Sequence, residues 1–304
     1  MHRAEWTSIF AALALTLTGA ATAASAELPP RPTVADVIKD SKPSDWRALD
    51  PENTLYMDVA GGRVVIELAP RFAPRHATNI RLLARDHYFD GLAVIRSQEN
   101  YVVQWGDADE KNPRPFKSAK ATLPAEFTIP AKADTSFVRL PDGDVYAPEV
   151  GHSDGFPVAR DPKAKLAWLT HCYGMVGVGR DTAADSGGGS SLYVVIGHAT
   201  RHLDRNITVV GRVVAGMSLL TTLPRGTGPL GFYEQPSQYA PIGALRVAAD
   251  VPPAERSRLE VMRTDGPAYQ KVLAAQRNRG GPWTKFAVGK VDLCNAQIPV
   301  RVQP

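Results

Sequence analysis

Cysteine is nearly missing from this chain of 304 residues: Cys172 and Cys294 are the only two. Two cysteines cannot build a disulfide framework or a multi-thiolate metal centre. Charge of one sign is also scarce, with a formal net charge of +4 and no block of Lys or Arg. Basic residues do not interleave with aromatic ones in a strand pattern, which excludes the electrostatic stripe of a nucleic-acid binder. Gly177-Val178-Gly179 has neither the later glycine of a dinucleotide fingerprint nor a following Gly-Lys-Ser/Thr. His198 and His202 stand at H-x-x-x-H spacing, but Ala199-Thr200-Arg201 between them reads as a loop rather than as a long helix presenting a zinc pair. Ser190, His198 and Asp204 lack the nucleophile-elbow pattern of a hydrolase. No metal and no cofactor are expected, and no internal repeat is visible.

Long apolar runs are absent after the first residues. Arg3 precedes an apolar or small stretch over 9–21, and Ala24-Ser25-Ala26 forms an A-x-A cleavage signature before Glu27. The stretch is too short to cross a hydrocarbon core of about 30 Å. Residues 1–26 are therefore expected to be a removed signal peptide, leaving a periplasmic protein without a membrane span. In that oxidising compartment Cys172 and Cys294 can pair, tying the C-terminal extension to the body near the run that begins at Met175. Two buried reduced thiols are the alternative that sequence leaves open.

Hydrophobic residues make up 44% of the chain, enough for a substantial core. Residues 27–53 form an N-terminal arm: prolines at 29, 30 and 32, then Thr33 as N-cap of a short helix, with Trp46 and Leu49 docking the arm. The β-rich runs 55–59 and 64–68 flank Gly61-Gly62 and read as a hairpin. Residues 73–88 read as a helix, with Pro74 in the first turn and Ala77, Ile80, Leu83 and Ala84 at helical spacing. Strands are expected at 92–96, 101–105, 175–177, 191–196, 208–214 and 242–247, with a short helix at 217–223. Between them lies a proline-broken insertion at about 108–173, with only Ala125-Glu126-Phe127 strand-like. From 251 to 304 the texture changes to a C-terminal extension with helical stretches from 254 and over 267–277, then strand-like runs over 286–302. Many short strands and few helices indicate a mainly β barrel or sandwich over 54–250.

The motifs carry a resemblance. Gly62-Arg63-Val64-Val65-Ile66-Glu67-Leu68 is followed by Ala73-Pro74 through Asn79-Ile80, then by Tyr88-Phe89-Asp90-Gly91-Leu92. Next come Arg96, Gln104 and Gly106-Asp107 in a stretch similar to F-H-R-V-I-x-x-F-M-x-Q-G-G-D. Gly174 through Arg180, Asp185 through Ile196, and Leu203-Asp204 through Met217 complete the order. Taken together they resemble the cyclophilin family of peptidyl-prolyl isomerases over about half the chain. The resemblance implies an eight-stranded antiparallel barrel capped by two helices, with a peptide groove on its outer face. Val94-Ile95 replace the family's Phe-His, Ser191 its glutamine, His202 its indole and Ile207 its groove aromatic or histidine.

By the same resemblance Arg96 is the catalytic residue, because a fixed guanidinium can meet the prolyl nitrogen as the X-Pro bond twists. Tyr101, Val102, Tyr193 and Leu203 form the proline slot, Gln104 contacts the substrate backbone, and Gly179 and Arg180 form the rim. Val102 stands where the family commonly has a longer side chain. The expected partners are proline-containing polypeptides of the envelope. A non-catalytic peptide-binding or chaperone module on the same fold is the alternative, and the sequence assigns no oligomeric state.

Overall fold

The computed structural model describes residues 31–109, 111–280 and 283–304, so the expected signal peptide lies outside the described residues. The arm begins with α1 (Val34–Lys39). Thr33 Oγ1 accepts from the Asp36 N–H and the Asp36 carboxylate accepts from the Thr33 N–H, a reciprocal capping box that starts this short helix. β1 (Trp46–Ala48) follows. β2 (Thr54–Val59) and β3 (Gly62–Leu68) pair as a hairpin whose turn residues Ala60 and Gly61 both have positive φ, the geometry that matches strand twist.

The chain continues through α2 (Pro74–Arg85), β4 (Ala93–Ser97) and β5 (Val102–Gly106). The insertion then folds as β6 (Ile129–Pro130), β7 (Val138–Leu140), β8 (Glu149–Ser153), β9 (Phe156–Asp161) and β10 (Leu166–Leu169). β11 (Met175–Val178), β12 (Leu192–Val195), β13 (Val209–Ala215), α3 (Met217–Thr221) and β14 (Ala240–Val247) complete the main domain. β15 (Leu259–Met262), α4 (Pro267–Arg277) and β16 (Val300–Val302) form the tail.

Eight strands close into an antiparallel barrel in the order β11-β12-β5-β4-β14-β2-β3-β13, which leaves no free edge. Alternation decides what faces inward. Leu55, Met57 and Val59, Val64, Ile66 and Leu68, and Val103 and Trp105 fill the lumen, while the residues between them point outward. α2 and α3 cap this core with Ile80, Leu83 and Leu220. α2 has no cap from its own Ala73; Glu126 of the insertion accepts instead from the Arg75 and His76 N–H groups. Asn79 on the same helix donates to the carbonyls of Lys120 and Gly188, and so holds the Gly-rich loop before β12.

The expectation of a nearly strandless insertion is corrected. Residues 125–127 form no strand, and the segment instead builds a five-stranded antiparallel sheet, β6-β10-β9-β8-β7. Its prolines fall in connections or at strand ends, with Pro157 the second residue of β9, opposite His152. The helical stretch expected from 254 is likewise a single 3-10 turn, Pro253–Glu255, followed by β15, and of 286–302 only β16 is a strand.

Arm and tail pair with each other in a second sheet, β1-β15-β16. A second core then gathers Trp46, Phe156, Trp168, Tyr269 and Leu293 against the outer barrel residues Met175 and Val209 and Phe72 in the turn after β3. Leu49 packs elsewhere, against Tyr56, Val65 and Ala248. Cys172 and Cys294 are disulfide-bonded across 122 residues of sequence, joining the end of the insertion to the tail.

Candidate active site

The site is built by register. On β4 Val94 faces the lumen opposite Trp105, and strict alternation would send Arg96 inward as well. A β-bulge between Val94 and Arg96 adds one residue, so Arg96 lies opposite Gln104 and faces out. Gln104 in turn lies opposite Tyr193 on β12, and Tyr193 opposite Gly177 on β11. Arg96, Gln104, Tyr193 and Gly177 thus form one row across four strands of the outer face. Val102 and Val195 form the adjoining pair.

Val102, Tyr193 and Val195 are a small buried apolar cluster outside the lumen, edged by Tyr101 and Ile207. Val102 and Tyr193, with Val195 packed beneath them, floor a groove of about 510 Å³ that is also lined by Arg96, Gln104, Gly179, Arg180 and Leu203. All eight residues expected at the site therefore share one cavity. Val102 and Tyr193 do not pack in the lumen, because their strand neighbours Val103, Leu192 and Val194 occupy it.

Arg96 is half-buried, and each of its three nitrogens makes one hydrogen bond. Nε donates to the Leu230 carbonyl at 2.7 Å, Nη1 to Gln104 Oε1 at 3.1 Å, and Nη2 to Gln98 Oε1. The rings of Phe232 and Tyr101 lie 5.1 Å and 5.5 Å from its guanidinium carbon. Burial lowers its pKa from the ordinary arginine value, which still leaves the group cationic in any physiological medium. Gln104 Nε2 donates onward to Ser191 Oγ at 3.0 Å, so its amide is oriented from both ends. Arg180 donates from Nε to the Asn206 carbonyl at 2.9 Å and so stands at the rim. His202 is exposed and stacks parallel to Tyr101 with ring centroids 6.4 Å apart.

Four contributors escaped the reading of the sequence. Gln98, the Leu230 carbonyl and Phe232 hold Arg96, and His171 backs Tyr193 with Nε2 2.8 Å from its hydroxyl. The segment carrying Leu230 runs beside β4, with Gly226 N–H donating to Ser97 O and Tyr233 N–H to Ile95 O. Leu230 itself is exposed at φ 57°, a left-handed conformation that a leucine rarely adopts. Its Gly-Pro-Leu-Gly turn was the one local signal available for this strap. Nothing local to His171 marks it as a groove residue.

A closed eight-stranded barrel with an arginine, a glutamine and an apolar slot on its outer wall defines a peptide-binding isomerase fold. The model of the cyclophilin-type peptidyl-prolyl cis-trans isomerase/CLD family matches residues 54–246, well over half the chain. The chain belongs to that family and is a cyclophilin-type peptidyl-prolyl cis-trans isomerase. A probable peptidyl-prolyl cis-trans isomerase of Brucella suis is 26% identical over 189 residues, 59% of this chain and 76% of the relative. The crystal structure of cyclophilin AquaCyp293 from Hirschia baltica is similar at TM-score 0.61 and 27% identity, covering 79% of this chain and 90% of that one. A peptidyl-prolyl cis-trans isomerase-like 4 protein of Neurospora crassa is 22% identical over 55% of this chain and 30% of its own length.

Proposed function

We propose that the mature protein accelerates rotation about X-Pro bonds in polypeptides folding in the periplasm, with Arg96 as the catalytic residue. The observation that carries this reading is the outward row of Arg96, Gln104 and Tyr193 beside the apolar groove residues Val102, Tyr101 and Ile207. Rotation of the X-Pro bond meets a barrier of about 18–20 kcal/mol because amide resonance holds the bond planar. In the twisted state the prolyl nitrogen regains its lone pair, and a donor aimed there binds that state better than either planar isomer. A proline ring in the slot would put its nitrogen toward the Arg96 and Gln104 end of the row. No proton transfer is needed, and Gln104 and Gln98 hold the guanidinium in one plane before the substrate arrives.

A protease-coupled or NMR-exchange assay on a panel of X-Pro peptides tests the reading. Arg96→Ala is expected to lower kcat/KM by about 10²–10³-fold, the scale of one preorganised donor, about 3–4 kcal/mol. The variant should fold, since Arg96 packs in neither the lumen nor the second core. A folded Arg96→Ala protein as fast as wild type would overturn the mechanism. A wild type that binds peptides without accelerating them would instead support the chaperone alternative. Export rests on the leader pattern in residues 1–26, and mass spectrometry of periplasmic protein should find an N-terminus at Glu27.

A further inference from the structure

We propose that the insertion is a working part of the isomerase site, with His171 at its end acting as the positioning residue for Tyr193. The proposal rests on the groove being the peptide site. Tyr193 is buried, and a buried phenol needs a hydrogen-bond partner. Its partner is the His171 imidazole, also buried, at 2.8 Å from Nε2. His171 is fixed in turn by Asp204, whose Oδ1 accepts from both its backbone N–H at 2.9 Å and its Nδ1 at 3.0 Å.

Burial pushes the Asp204 carboxyl up, but the His171 hydrogen bond and the Arg201 charge outweigh it and hold its pKa below the ordinary value. An ionised carboxylate only accepts, so Nδ1 donates to Asp204, which leaves Nε2 to accept the hydrogen bond from the Tyr193 O–H. Arg201 closes the chain by binding Asp204 at 2.6 Å and Asp144, in the β7–β8 loop, at 2.8 Å. Two members of this chain, His171 and Asp144, therefore belong to the insertion.

The barrel leaves room for the relay. Gly177 lies opposite Tyr193, and a Cβ there would stand 2.4 Å from the phenol carbon and oxygen, so only glycine lets the ring cross toward His171. Val102 and Val195 share a buried cluster with Tyr193, but they are apolar and offer its hydroxyl no partner. The hydrogen bond to His171 thus sets the angle of the slot wall that a proline ring would meet.

Two readouts on the full mature chain test this: the split of kcat and KM, and peptide affinity by NMR titration of an X-Pro peptide. Tyr193→Phe keeps the ring and removes only the hydroxyl. It is expected to raise KM and weaken peptide affinity about threefold to tenfold with kcat little changed, the scale of one net hydrogen bond. His171→Leu should do the same, and His171→Gln, which keeps a polar atom at the ε position, should recover part of the loss. The double variant Tyr193→Phe/His171→Leu should bind no worse than His171→Leu alone, because both changes break one bond. Additive losses, or folded single variants with wild-type affinity, would overturn the proposal. A loss of thermal stability with KM and affinity unchanged would overturn it too. If wild type proves inactive, the isomerase reading fails separately, and the affinity comparison still decides the role of His171.

Discussion

At the scale of single residues, Arg96 and His152 make opposite uses of burial. Arg96 keeps its charge at a half-buried site where Nε, Nη1 and Nη2 donate to the Leu230 carbonyl, Gln104 and Gln98. Arg96→Lys keeps the charge and loses the fork, so most of the Arg96→Ala loss in kcat/KM should remain; full activity in the lysine variant would show that charge alone suffices. His152 lies in the interior with Nε2 3.2 Å from the Tyr269 hydroxyl. Burial and the neighbouring Arg212 charge lower its pKa from 6.5 to about 3. Below pH 6.5 the unfolded chain takes up a proton at this ring that the folded chain refuses until about pH 3, so stability falls as pH falls through that window. The expected slope from this residue is about 1.4 kcal/mol per pH unit. Urea unfolding of wild type against His152→Gln between pH 6 and 5 should show the slope in wild type and a flatter line in the variant.

At the scale of elements, the outer row depends on one bulge and one glycine. Gly177→Ala would force the Tyr193 ring off its bond to His171, since the new methyl would meet the ring itself at 2.4 Å. We expect weaker peptide binding and a stability cost of about 1–3 kcal/mol. Gly243→Ala on β14 is the control, because its Cβ would meet only Asp58 atoms at an ordinary 3.8 Å. Equal peptide affinity in the two alanine variants would dismiss the crowding argument. The barrel strands were legible in the sequence because each alternates between an apolar lumen and a mixed outer face, and motif order fixed their sequence. Arg96, Gln104 and Tyr193 were named on resemblance, but the bulge that brings them into one row is a register shift that local pattern does not reveal. The insertion sheet was missed for a related reason. Strands such as Glu149–Ser153 and Val138–Leu140 are short, flanked by turn residues and buried by partners distant in sequence, so neither period nor length announces them.

At the scale of the whole molecule, arm, insertion and tail are mutually dependent layers on one side of the barrel. The three strands of β1-β15-β16 are each three or four residues long and come from opposite ends of the chain. Such a sheet stands only while it is packed, and Arg47 anchors it to the barrel through Glu67 at 2.6 Å, the same carboxylate that holds Arg212. The Cys172–Cys294 bond spans 122 residues and ties the tail to the residue after His171. The chain-entropy argument gives a closure of this length about 4–5 kcal/mol of stabilisation. Cys172→Ser/Cys294→Ser should therefore lower Tm by about 10 °C, and wild type scanned with reductant should fall by a similar amount. Because Cys172 adjoins the imidazole that backs Tyr193, the loss should extend to the groove: peptide affinity should drop in the serine variant below Tm, while in a Tyr193→Phe background the same pair of substitutions should change affinity little. A serine variant with the Tm of wild type would show that the second core holds the tail without the bond.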